Sequence, residues 1–112
     1  MRYIKKDDHY LDTKTGFMWS LNSIGPLTWD SAMRWYPSDG VWRLPTIEEL
    51  ITLVDYDFTE PATELPDMRS FDYWSATDDT YYVHKAWSVY FHNGYDSNGH
   101  KSLNRYVRAI RG

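Results

Sequence analysis

The sequence predicts a small α+β domain, and three observations carry that prediction. The first half of the chain holds two helix signals, each opened by a threonine placed to cap it. The second half alternates apolar and polar residues over strand-length runs separated by turn dipeptides. The chain has 112 residues, the usual size of one domain, so residues 1–112 are read as a single unit. A chain of that length buries roughly two-thirds of the surface its unfolded form exposes, enough for a real core.

The elements follow in order. Tyr10-Leu11 and Phe17-Met18-Trp19 flank Asp12-Thr13-Lys14-Thr15-Gly16, a turn-forming stretch, and read as a short hairpin. After Gly25-Pro26, Thr28 is placed to cap a short helix from Trp29 to about Trp35, which Pro37 and Asp39-Gly40 end. Thr46 is followed three residues later by Glu49, a capping box in which each side chain accepts the other residue's backbone N–H. Ile47, Leu50, Ile51 and Val54 then fall on one helical face, predicting a helix over 47–54. Residues 55–69 carry Pro61 and Pro66 without periodicity and read as a long loop, a place where function often resides. Strands are predicted over 72–77 and 81–92, the latter with Trp87, Val89 and Phe91 on one face and Ser88, Tyr90 and His92 on the other. Asn93-Gly94 and Asn98-Gly99 read as turns, and 106–110 as a last strand.

Composition narrows the function. Twelve Lys and Arg stand against 16 Asp and Glu, a net charge of −4, which argues against nucleic-acid binding. No apolar run is long enough for membrane insertion. No cysteine is present, which excludes disulfides, thiolate metal sites and a cysteine nucleophile. Together with an N-terminus lacking an apolar signal segment, this favours a cytoplasmic setting unless the domain belongs to a longer exported protein. Aromatic residues make up 18% of the chain, more than a core of this size needs, so part of them is expected on a binding surface.

The chemistry-bearing residues give little sign of catalysis. His9, His84, His92 and His100 lack the spacing of a zinc site. Asp55, Asp57 and Glu60 in the long loop, and Asp96-Ser97-Asn98-Gly99, are the hard-oxygen clusters that a calcium ion would use. Neither completes an EF-hand spacing, so no cofactor is expected and calcium is the minority alternative. Ser75 has no glycine elbow, and Glu48 and Glu49 are accounted for by the helix cap. Arg43 and Arg108 sit among core-type residues, where each needs a carboxylate or several carbonyls; both are read as ties between loop and sheet.

Several motifs occur in series: Asp12-x-x-Thr15-Gly16-Phe17-Met18-Trp19, Leu27-Thr28-Trp29-Asp30-Ser31-Ala32 and Trp42-Arg43-Leu44-Pro45-Thr46-x-Glu48-Glu49-Leu50. Tyr73-Trp74-Ser75-Ala76-Thr77, Ala86-Trp87-x-Val89-x-Phe91-x-x-Gly94 and Val107-Arg108-x-Ile110-Arg111 follow. The series resembles the Lcl C-terminal-like family, bacterial domains named from the end of a collagen-like adhesin. The resemblance implies a C-type lectin-like fold, distantly similar to formylglycine-generating enzymes: paired terminal strands, two short helices packed on small antiparallel sheets, and a long loop region. It also implies a pair of cysteines, replaced here by Tyr36 and Ala109. The activity of formylglycine-generating enzymes does not transfer, because it uses cysteines.

The resemblance further implies a binding module rather than an enzyme, and a carbohydrate is the first expected ligand. The ligand surface is placed on the later half, at Tyr73, Tyr81, Tyr82, Tyr90, His92, Tyr95 and Asp96, with aromatic faces for stacking and His92 and Asp96 for hydrogen bonds. Trp19, Trp29, Trp42, Trp74 and Trp87 are assigned to the core. The alternative is a protein-interaction module acting inside the cell as an inhibitor or accessory subunit, since clustered Tyr and Trp suit a protein partner equally well.

Overall fold

The computed structural model describes residues 1–35 and 41–111. It is a small α+β domain of two sheets and two short helices. Strands β1 (Tyr3–Lys5), β2 (Tyr10–Asp12), β3 (Met18–Trp19) and β4 (Ile24–Leu27) precede helix α1 (Trp29–Arg34). Strand β5 (Trp42–Arg43) leads into helix α2 (Ile47–Ile51). Strands β6 (Asp72–Asp78), β7 (Lys85–Tyr90), β8 (Tyr95–His100), β9 (Arg105–Val107) and β10 (Ile110–Arg111) follow. One sheet has the order β1-β2-β3-β10-β5 and the other β4-β9-β6-β7-β8.

The predicted hairpin forms between β2 and β3, with Leu11 opposite Met18. Its turn is held by Asp12, whose buried carboxylate accepts the Lys14 N–H at 2.9 Å and the Thr15 hydroxyl at 2.9 Å. Arg2 grips the same carboxylate through Nε at 2.9 Å and Nη2 at 2.8 Å. Burial pushes the Asp12 carboxyl up, but these hydrogen bonds outweigh it and hold the group below the usual carboxylate range. The same grip fixes β1, which has too few residues to announce itself in the sequence.

Both helices start where predicted. The Thr28 hydroxyl accepts the Ser31 N–H, and Thr46 and Glu49 complete the capping box. Helix α2 is shorter than predicted, because beyond Ile51 the chain tightens into i→i+3 bonds from Leu53 to Leu50 and from Val54 to Ile51. Of the predicted apolar face, Ile47 and Leu50 are buried and Val54 packs against the core, while Ile51 is exposed and Leu53 is buried beside them. Residues 36–40, which include Tyr36 and the predicted stop of α1 at Pro37 and Asp39-Gly40, lie outside the described residues.

Three strand readings change. The run over 81–92 becomes a strand only at Lys85, because Asp79 Oδ1 accepts the N–H groups of Tyr81 at 2.9 Å and Tyr82 at 3.3 Å and turns the chain there. Asn98-Gly99 lies inside β8 rather than at a turn. Gly99 is there because a Cβ would run into the Arg105 guanidinium lying across the sheet. The predicted last strand splits into β9 and β10, which belong to different sheets. Not every pairing is antiparallel either, since β6 and β9 pair in parallel at Tyr73 and Tyr106.

Arg108 sits at that split, fully buried. Its guanidinium donates to the carbonyls of Ser20 (2.6 Å), Leu21 (3.1 Å), Pro66 (2.7 Å) and Asp67 (3.2 Å). It therefore ties the long loop to the sheets, as the sequence reading requires, through carbonyls and the Ser23 hydroxyl at 3.5 Å. Burial pushes its pKa down to about 10, still charged at neutral pH.

The second sheet has a core on each face. Tyr73, Val89 and Phe91 pack with Tyr3, Trp19, Leu50, Leu53, Leu65, Met68 and Ile110, while Trp74, Ala86 and Val107 pack with Ala32 and Leu44. Trp19 and Trp74 are fully buried, and Trp29 and Trp87 pack partly buried against these clusters. Trp42 departs from its assignment: it is half-buried outside both clusters, with the Arg111 guanidinium 5.0 Å over its ring. Arg43 departs in part, since its side chain is 42% exposed and pairs with Glu49 rather than being buried.

Candidate functional site

Strand register decides which predicted surface residues meet. Opposed residues in paired strands share a face. Tyr95 opposes Tyr90, and Tyr90 opposes Asp72, so these three form one row across β8, β7 and β6. His92 extends the row: its ring stacks on Tyr90 with centroids 5.5 Å apart and planes at 24°. The Glu60 carboxylate lies 3.5 Å from His92 Nε2. Gly94, at φ +85, makes the β7–β8 turn that brings Tyr95 back beside Tyr90.

The other four predicted residues lie elsewhere. Asp96 opposes Val89 and so belongs to the opposite face. Tyr73 is not a surface residue: it is 0% exposed, its ring lies edge-on to Phe91 at 5.3 Å, and its hydroxyl donates to Ser23 Oγ at 2.7 Å. Its pKa is raised by burial, as expected for a phenol in the core. Its placement on the ligand surface fails because both faces of β6 are covered. Tyr81 and Tyr82 are exposed, at 90% and 58%, but they stand at the far end of the hairpin. There they line a cavity of about 360 Å³ with Val83, His84, Lys85 and His100. Lys85 Nζ sits 4.8 Å over the Tyr82 ring, and the His84 and His100 rings stack at 6.0 Å.

Asp72 leads to a groove that the sequence did not announce. Phe71, Asp72, Leu103, Asn104, Arg105, Tyr106 and Pro26 line a cavity of about 350 Å³ at the start of β6. Phe71 and Tyr106 stack with centroids 5.8 Å apart and planes at 20°, and Phe71 is 55% exposed. Arg105 Nη1 meets Asp72 Oδ1 at 2.7 Å and donates to Ser88 Oγ at 2.6 Å, while its guanidinium carbon lies 4.9 Å over the Trp74 ring. Burial pushes the Asp72 carboxyl up even though Arg105 opposes the shift. The signal is hidden because Asp72 and Arg105 are brought together by the parallel β6–β9 pairing, which no local pattern encodes.

The acidic loop residues do not converge. Asp55 Oδ1 accepts the Asp57 N–H at 3.0 Å, a local turn, and Glu60 faces His92 instead. Among the described residues, no three His, Asp or Glu side chains are gathered as a metal site would need. The hydroxyls near the site are committed: Ser75 donates to the Trp87 carbonyl at 2.6 Å, and Ser88 accepts from Arg105.

A family model, the Lcl C-terminal domain, matches residues 8–111. The chain belongs to the Lcl C-terminal domain family. Neither a curated protein nor a solved structure matches it. In this Lcl C-terminal domain the conspicuous motif residues Trp19, Trp74 and Arg108 build the core, while Tyr90, His92, Tyr95 and Phe71 reach the surface or its margin. No described helix is long and apolar enough to cross a membrane.

Proposed function

We propose that this Lcl C-terminal domain is a non-catalytic binding module of C-type lectin-like fold that recognises carbohydrate through the Tyr90–His92–Tyr95 face. The fold reading is supported by the first and last strands sharing one sheet and by a long loop packed over the second sheet. The observation that carries the function is the cross-strand row of Tyr95, Tyr90 and Asp72 with His92 stacked beside it. Aromatic faces there pack on the C–H faces of sugar rings, and His92, Glu60 and Asp72 direct hydrogen bonds to hydroxyls. The frame beneath is a rigid sheet, which holds such a site better than a loop.

The test is a broad glycan array probed with the purified domain, once with calcium and once with chelator. Binding should survive chelation and disappear in the Tyr90→Ala/Tyr95→Ala double variant at an unchanged melting midpoint. Intact binding in that variant removes the site from this face. A specific observation favours a second reading, a protein partner: Tyr81, Tyr82 and Val83 project from a turn braced by Asp79, and such exposed tyrosines suit a protein interface. A silent array, with partner capture lost in Tyr81→Ala/Tyr82→Ala, selects that reading.

A further inference from the structure

The carbohydrate-binding reading leaves open where a single sugar ring is gripped, and the groove beside Asp72 has the chemistry to do it. One wall is the Phe71–Tyr106 stack, whose outer member is exposed. The polar side is the Asp72–Arg105 pair, held from beneath by Ser88 and Trp74. Arg105 Nη1 engages Asp72 Oδ1 at 2.7 Å, and the Asp72 side chain, 31% exposed, keeps lone pairs of its carboxylate for a further donor. An aromatic wall facing a carboxylate oxygen with open acceptor capacity matches a ring that is apolar on one face and carries hydroxyl donors at its rim.

Charge decides between neutral and acidic sugars. Arg105 is already neutralised by Asp72, so the groove carries no net positive charge to attract a uronate or sulfate. Arg69 lies 5.4 Å over the Tyr106 ring, but it does not line the groove. The volume of about 350 Å³ lies at the small end of ligand sites, which run to roughly 1,000 Å³, and fits a terminal residue rather than a chain segment.

Resting on the carbohydrate reading above, we propose that the Phe71–Asp72–Arg105–Tyr106 groove is a subsite for one neutral pyranose ring, with the ring on Phe71 and a hydroxyl donating to the Asp72 carboxylate. The experiment is a backbone-amide NMR titration of the full chain with neutral methyl hexosides (gluco, galacto and manno) and with methyl glucuronide. At least one neutral hexoside should shift the amides of Phe71, Asp72 and 103–106. Phe71→Ala should weaken that binding at least tenfold, and so should Asp72→Asn. Phe71 is exposed, so its variant keeps the fold, and Lys5→Ala, exposed on the other sheet, should bind as the parent does. Shifts confined to Tyr90, His92 and Tyr95 overturn the groove and leave the carbohydrate reading standing. Tighter binding of the glucuronide overturns the neutral assignment, and no shift with any of these sugars overturns the subsite. Failure of the array as well removes the carbohydrate reading beneath it.

Discussion

The strand crossing at Arg108 and the groove rim at Arg105 lie three residues apart in sequence, yet they use the same side chain in opposite ways. Arg108 gives its donors to four backbone carbonyls from two separate segments and touches no carboxylate. Arg105 gives its donors to side chains, one of them the carboxylate of Asp72, at the rim of an open groove. The first arrangement is closed, because every partner is chain that must stay in place for the fold. The second keeps acceptor capacity facing solvent. An arginine's role in this domain is therefore read from what satisfies its donors rather than from its neighbours in sequence.

The largest expected effect breaks the comparison at Arg108. Arg108→Ala takes a donor from four carbonyls, of which only that of Asp67 keeps another, from Ser23 Oγ, and opens a cavity, at a cost of about 4 kcal/mol or more. Arg108→Lys should recover less than half of that, since a point charge cannot span the fork. Arg105→Ala leaves Asp72 partly solvated and should cost about 1–2 kcal/mol. Urea unfolding of the three variants measures all of this. Equal losses at the two arginines would make Arg105 a structural tie and empty the groove of its rationale.

The tryptophans sharpen the same contrast at smaller amplitude. Trp74 is fully buried beneath Arg105, with its indole N–H donating to the Leu27 carbonyl at 2.9 Å. Trp74→Ala should cost about 3–5 kcal/mol. Trp42 is half-buried beneath Arg111 and outside both core clusters, so Trp42→Ala should cost about 1–2 kcal/mol. Thermal melts decide it, and a Trp42 variant as damaged as the Trp74 variant would restore Trp42 to the core.

How much of this was legible follows from range. The helix caps at Thr28 and Thr46, the β2–β3 hairpin and the β7 alternation are written within a few residues, and they were readable. Three of the misreadings share one cause, which is contact between segments that no local pattern joins. Gly99 looks like a turn residue until Arg105 lies across it, and Tyr73 looks like a surface tyrosine until the 55–69 loop and the first sheet cover its face. The split of the last strand needs the carbonyls of residues 20, 21, 66 and 67 around Arg108. For the site, Tyr90, His92 and Tyr95 were found because their alternation and turn are local. Phe71, Asp72 and Arg105 were missed because a parallel pairing across more than 30 residues joins them.

Arg43 completes the series as the most exposed of the three arginines compared, and it carries the smallest prediction. Its side chain is 42% exposed, and it forks onto Glu49 at 2.7 and 2.6 Å while Glu49 also accepts the Thr46 N–H at 2.9 Å. The Arg43 hydrogen bonds outweigh burial and, with the Thr46 N–H, hold the Glu49 carboxyl below its ordinary value of 4.5. A carboxylate depressed in the folded state contributes stability that is fully present above its unfolded pKa and is lost as pH falls through the folded one. Glu49→Gln keeps an acceptor for the capping box and removes only the charge, so it should cost about 0.5–1 kcal/mol at neutral pH. The gap in melting midpoint between parent and variant should therefore begin to close below about pH 4.5 and shrink further in stronger acid. A gap that stays constant across that range would mean that Glu49 acts through shape and capping alone, and that the exposed arginine contributes no charge stabilisation to this domain.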